Sequence, residues 1–489
     1  MNRWLLTGIL GLTLIAACSG NTTNGPAGTE GLPGMTGPVG PAGDAGAMGA
    51  AGRAGEGGVN GAAGEAGPAG EAGAPGPAVT ISDRAQQGLS ISPVPLATAG
   101  LTSAQLEQLG QGSYLVNAMG DCGGCHTEGA PNAGFLAGGT SFVLGPNQQV
   151  TARNLTPDPA TGMKLTQAQF VTSMRTGEDF SATSESLIVM PWQTLRWMST
   201  YDLNAIYAYL KAIPAVSNTI AADAKPSVPP SAFSGSYDEG VTTTPLPPET
   251  DAQGNPVPDP DNILRGLAMN SLSLGTPISS TDAALFGRGA YLVNAIADCS
   301  GCHSNPSRQP MSNHLNTAQY LTGGQVFAVP PPLQPVMKIV RTMSANLTGV
   351  KNGYFNTATI SFAQWLTEIT QGVHADETPP TRPLGFPMPW KAFRNMTEQD
   401  LAAVYTYVRV AAGAGITGAN DKATQDSARY CASAVDCNSG ETCSAATKEC
   451  IGGACTTNKD CGACQTCDVG ASNTCLAPAA GSTCLTGGI

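Results

Sequence analysis

Residues 111–126 read QGSYLVNAMGDCGGCH and residues 288–303 read RGAYLVNAIADCSGCH; 11 of the 16 positions are identical. Each copy ends in Cys-x-x-Cys-His: Cys122, Cys125, His126 and Cys299, Cys302, His303. On a helical turn, cysteines three apart lie on one face and reach the two vinyl groups along one porphyrin edge. The histidine that follows then points under the ring and supplies a nitrogen to iron. This is the attachment signature of c-type haem, and two covalently bound haem c groups are expected. A redox CxxC or half a zinc site uses the same cysteine spacing, but two copies with shared flanks argue against both.

A second iron ligand decides between a haem that binds reactants and one that moves electrons. Downstream of each histidine comes the same short string, Met190-Pro191-Trp192 and Met388-Pro389-Trp390. A thioether is a soft ligand that favours ferrous haem and raises its potential. The alternative is that these methionines fill core gaps. Their matched place favours ligation, so the metal ligands are expected to be His126 with Met190 and His303 with Met388. Trp192 and Trp390, beside the ligands, either donate to a haem propionate or simply pack. Arg153 is a candidate propionate partner in the first copy, but Ala345 stands at the matching position in the second. His314 and His374 fall in loops of the second copy and read as solvated.

Further landmarks repeat between the ligands. Phe135-Leu136-Ala137-Gly138-Gly139 matches Tyr320-Leu321-Thr322-Gly323-Gly324, and Asn154-Leu155-Thr156 matches Asn346-Leu347-Thr348. Histidine and methionine stand 64 residues apart in the first copy and 85 in the second, a difference that reads as surface insertion. Each copy closes on an amphipathic helix begun by a capping signal, Ser199-x-x-Asp202 or Thr397-x-x-Asp400. These helices are expected to pack on the opening helices, with Gly112 and Gly289 allowing close approach and Tyr114 and Tyr291 filling the contact. Two domains follow, 101–215 and 276–415, joined by a Pro-rich and largely irregular connector, 216–275. Their net charges are −3, +2 and −5 in the order 101–215, 276–415 and 216–275.

These motifs resemble the tandem class I c-type cytochrome domains in the cytochrome c subunits of bacterial membrane-bound sugar and alcohol dehydrogenases. The resemblance covers about half of the chain. It implies an all-α fold, His/Met coordination and electron transfer. Those subunits commonly carry three haems and end in a membrane-binding helix; this chain has two attachment motifs and a cysteine-rich end, which leaves a dehydrogenase partner open.

The flanks are of another kind. Glycine makes up 61 of 489 residues, proline 37, and charged residues only 12%, a mixture that suits modules separated by low-complexity spacers. Residues 1–18 read as an export signal: Arg3, an apolar run too short to span a bilayer, then Ile-Ala-Ala-Cys18, which resembles the lipobox of bacterial lipoproteins. Lipidation at Cys18 would tether the chain to a membrane facing the periplasm or cell surface. From Gly25 glycine recurs at every third position through Gly76, within a stalk spanning 25–78. Only glycine fits the axis of three wound chains, so the register is that of a collagen-like triple helix, roughly 160 Å long at about 3 Å per residue. Only 7 of the 54 residues are proline, below the ~15–20% of stable collagens, so a flexible spacer competes with a homotrimer. Ten cysteines lie between Cys431 and Cys484 with few large apolar residues. That tail reads as a small disulfide-rich module of five bridges.

A net charge of −12 argues against nucleic acid as a partner. The sequence therefore points to a lipid-anchored dihaem electron carrier, not itself an enzyme, that serves redox protein partners or a dehydrogenase. A dihaem peroxidase, with one open iron, and a stalked structural or binding protein are the alternatives.

Overall fold

In a computed structural model of the chain, the described residues are 80–128, 134–180, 185–225 and, with short interior gaps, 245–476. The expected signal peptide, Cys18, all of the stalk, His314 and the tail cysteines Cys455, Cys461, Cys464 and Cys484 lie outside them. The described residues from Ser82 onward fall in one compact unit.

Each half begins with two packed helices, and the first of each pair lies before the repeat seen in sequence. α1 (Asp83–Ile91) packs on α2 (Ser103–Tyr114), and α7 (Ile263–Met269) on α8 (Ser280–Tyr291). Both pairs cross at glycine: a Cβ on Gly88 would stand 1.9 Å from the Gly110 carbonyl oxygen, and one on Gly266 1.7 Å from that of Gly287. The closing helices α6 (Thr200–Ala212) and α13 (Glu398–Ala412) cross α2 and α8 just as closely, at Gly112 against Ala205 and Gly289 against Ala403. Between them lie α3 (Cys122–His126), α4 (Gln167–Thr176) and α5 (Trp192–Leu195), matched in the second half by α9 (Cys299–His303), α11 (Phe362–Gln371) and α12 (Trp390–Phe393). One short helix, α10 (Gln334–Met337), belongs to the second half alone. α7 falls inside the segment read as an irregular connector.

The expectation of an all-α fold is overturned. β1 (Ser141–Gly145) and β2 (Gln148–Thr151) form an antiparallel ribbon in the first half. β3 (Val326–Ala328), β4 (Ile339–Met343) and β5 (Asp426–Arg429) form a three-stranded antiparallel sheet in the second. Two further pairs lie in the tail, β6 (Thr442–Cys443) with β7 (Cys450–Ile451) and β8 (Thr466–Cys467) with β9 (Cys475–Leu476). Strands of two to five residues are too short to display a period-2 pattern, so these segments read as loops.

The halves share one apolar core, and they exchange tyrosines across a pseudo-twofold contact. Tyr114 donates its hydroxyl proton to Asp400 Oδ2 at 2.9 Å, and Tyr291 donates to Asp202 Oδ2 at 2.6 Å. Each hydroxyl also accepts from a backbone N–H of the other half, Thr397 or Ser199. The tyrosines expected to fill a contact within each half instead lock the halves together. The carboxylates differ in company. Asp202 accepts from the neutral amides of Gln111 and Asn262, whereas Asp400 accepts from the guanidinium groups of Arg288 and Arg84 at 2.9 Å. Burial alone would raise the Asp400 carboxyl, but the two arginines outweigh it and hold it at about 2.

Candidate functional sites

Each attachment motif is presented by the same local device. α2 and α8 widen into one turn in which Gly120 N–H donates to Leu115 O and Ala297 N–H to Leu292 O, a step of five residues. Such widened turns concentrate at functional sites. Asp121 and Asp298 then take left-handed backbone angles, φ 41° and 48°, which redirect the chain into α3 and α9. Burial raises the Asp121 carboxyl to about 7. Thr194 Oγ1 donates to Asp298 Oδ1 at 2.6 Å, so α5 of the first half touches the attachment turn of the second. The matching residue of α12 is Ala392, which has no hydroxyl.

The histidines are held in matched fashion. His126 Nδ1 lies 2.8 Å from Arg153 O, and His303 Nδ1 lies 2.8 Å from Ala345 O. A ring that donates from Nδ1 to a carbonyl leaves the Nε2 lone pair for a metal. Burial pushes both imidazoles below their ordinary value, with the carbonyl contact opposing it, so neutral rings prevail at pH 7. At Arg153 and Ala345 the two copies share the backbone oxygen and not the side chain. The Arg153 side chain, which lines the same cavity as His126, pairs with Asp223 at 2.8 Å.

The repeated landmarks serve that carbonyl. Gly138 N–H donates to His126 O and Gly323 N–H to His303 O. Leu155 N–H then reaches Leu136 O, and Leu347 N–H reaches Leu321 O. Asn154 and Asn346 cap the turns below by accepting from the N–H and hydroxyl of Thr156 and Thr348.

The methionine loops are braced by tryptophan against glycine. α4 and α11 end at Gly177 and Gly372, at φ 75° and 70°. A Cβ at either would overlap the ring of Trp192 or Trp390, at 2.3 and 2.4 Å. Trp192 Nε1 donates to Leu187 O at 3.0 Å, so that indole N–H is engaged within its own loop. Sequence reasoning missed these glycines; their matched place, ahead of each methionine, was the available signal. His374, read as solvated, is 2% exposed, and its Nδ1 lies 3.8 Å from Glu368 Oε1.

All eight predicted residues, Cys122, Cys125, His126, Met190, Cys299, Cys302, His303 and Met388, line one cavity of about 1090 Å³. That exceeds the ~300–1,000 Å³ of ordinary ligand pockets, and its walls draw on both halves. Cys122, Cys299 and Cys302 are free thiols. Burial, followed by the nearby Asp121 or Asp298 carboxylate, pushes Cys122 and Cys299 up to about 12 and Cys302 higher still. The Cys125 sulfur is disulfide-bonded, and thioether attachment at the first site requires it as a thiol. An apolar cavity, two neutral imidazoles with Nδ1 engaged, soft sulfur donors and half-buried thiols form a donor set that fits haem c.

The chain has relatives among redox subunits. A nicotinate dehydrogenase subunit of Pseudomonas putida is 30% identical over 244 residues, which is 48% of this chain and 17% of that protein. The fructose dehydrogenase cytochrome subunit of Gluconobacter japonicus is 27% identical over 233 residues, 46% of this chain and 40% of the relative. The cytochrome c subunit of the quinone alcohol dehydrogenase of Gluconacetobacter polyoxogenes is 27% identical over 257 residues, 49% of each. This chain spans less than half the length of each of these relatives. Residues 22–80 match the collagen triple helix repeat. No helix among the described residues is long and apolar enough to cross a membrane.

Proposed function

We propose that the chain is an electron-transfer cytochrome with two covalently bound haem c groups, each iron held by histidine and methionine. Cys122 and Cys125 attach the first group and Cys299 and Cys302 the second. His126 with Met190, and His303 with Met388, are the axial pairs. The observation that carries this reading is the duplicated Nδ1-to-carbonyl contact in a cavity that both methionines line. Bound haem would supply a one-electron couple at iron, tuned upward by the thioether. The chain's own part is to orient both imidazoles, keep water from the ring faces with an apolar wall, and hold the halves in fixed relation through Tyr114 and Tyr291.

The similarity to a dehydrogenase subunit and to two dehydrogenase cytochrome subunits supports a dehydrogenase as the redox partner, with this chain carrying electrons rather than catalysing the oxidation. Export, lipidation at Cys18 and a collagen-like stalk would place the haem unit away from the membrane surface, facing the periplasm or cell exterior. The test is a haem count by alkaline pyridine spectra with a potentiometric titration of the purified protein. Two haems per chain and two one-electron waves at the positive potentials of His/Met sites are expected. One haem per chain, or waves at the low potentials of sites without a thioether, would refute the reading.

A further inference from the structure

In both halves the chain leaves the closing helix and returns as a strap over the strand that leads to the histidine's carbonyl partner. In the first half the strap is Asp223 to Lys225. Ala224 pairs with Gln149 of β2, and Asp223 Oδ1 accepts from Thr151 N–H. Lys225 Nζ then reaches Asp179 at 3.2 Å and Ser186 O at 3.1 Å in the loop before Met190. In the second half the strap is β5, which pairs along β4 from Ile339 to Met343, and the cysteine-rich tail is what fixes it. Tyr430 N–H donates to Lys338 O, and Cys431 N–H to Lys448 O. Arg341, 3% exposed, pairs with Glu449, 0% exposed. Cys450, next to Glu449, is bonded to Cys437, and Cys431 to Cys443.

The strand held in this way touches both ligand-bearing elements. Thr342 Oγ1 donates to Phe386 O at 2.6 Å, two residues before Met388. Ala345, two residues past β4, receives His303 Nδ1. We propose that the disulfide-rich tail is the clamp of the second haem site: Glu449, held by the Cys437–Cys450 bridge, positions β4 through Arg341 and so keeps Met388 on the iron. The strap of the first site contains no cysteine, so no equivalent clamp is expected there once Cys125 is bound to haem as a thioether.

This rests on the His/Met reading above, and the parent protein is the control that separates the two. In the full-length holoprotein, Glu449→Ala and the paired substitution Cys437→Ala/Cys450→Ala are each compared with the parent by the far-red band of oxidised Met-ligated haem and by cyanide uptake. Each variant is expected to lose the second site's share of the band, to bind cyanide rapidly at one iron of two, and to show a fall in one potential only. Hydrogen exchange on the parent gives a readout independent of variant folding. Cleaving the tail disulfides with a dithiol is expected to speed exchange at residues 384–390 while leaving residues 187–192 unchanged. Parent-like bands and cyanide resistance in both variants, or equal loss at both irons, would overturn the clamp. A parent without the band at either iron would overturn the ligation reading itself, and the clamp with it.

Discussion

A histidine oriented by a main-chain oxygen is insensitive to the side chain on that residue. His126 and His303 use the carbonyls of Arg153 and Ala345, and the chain has retained two unlike side chains there. Arg153→Ala is therefore expected to leave the first haem's spectrum and potential unchanged, measured by optical redox titration, while losing the Asp223 pair. Asp400 is the opposite case. Its carboxyl stands at about 2 in the folded chain against an ordinary 3.8, so as pH falls the unfolded chain takes up that proton first. The stability contributed is whole above pH ~4 and is lost as pH falls through 2, about 2–3 kcal/mol in all at ~1.4 kcal/mol per unit. Asp400→Asn leaves Arg288 and Arg84 facing a neutral partner in a buried site, and urea titration at pH 7 is expected to show a loss of about 3–5 kcal/mol. Asp202→Asn, among neutral amide donors, is expected to cost less.

At the scale of elements, the helices were readable and the strands were not. Ser199 and Thr397 announce α6 and α13 by their capping positions, and both hydroxyls do accept from the third residue on. α1 and α7 went unread because each is nine residues or fewer and lies outside the repeated string. What marks them is one small residue, Gly88 or Gly266, whose partner helix lies elsewhere in sequence. The ribbons were illegible for a related reason: β2 and β4 exist to deliver a carbonyl to a histidine, and backbone function leaves no side-chain signature. The haem motif and its landmarks, by contrast, were visible because duplication shows which positions are held. The tryptophan–glycine braces belong to this scale too. Gly372→Ala forces a left-handed backbone angle on an L side chain and drives its methyl into Trp390. A loss of about 2–3 kcal/mol and a weakened Met388 bond are expected, read by urea titration and by the far-red band.

For the whole molecule, the paired tyrosines and the shared core make the two halves a single body, which would suit the proposed relay between two irons at a set separation. Outside that body, residues 22–80 carry the collagen repeat, and a triple-helical stalk would present three such bodies together. Sedimentation of the full-length protein is expected to give a trimer that dissociates in one cooperative thermal step, whereas deletion of residues 25–78 is expected to give a monomer. The most direct test of the ligation scheme is the far-red absorption of the oxidised protein, recorded during addition of cyanide. Two thioether-bound irons predict a band whose intensity per haem is that of a fully Met-ligated site, fading slowly as cyanide displaces sulfur. A band worth only one haem, with immediate cyanide binding at the other, would contradict it and give the second iron to a reactant.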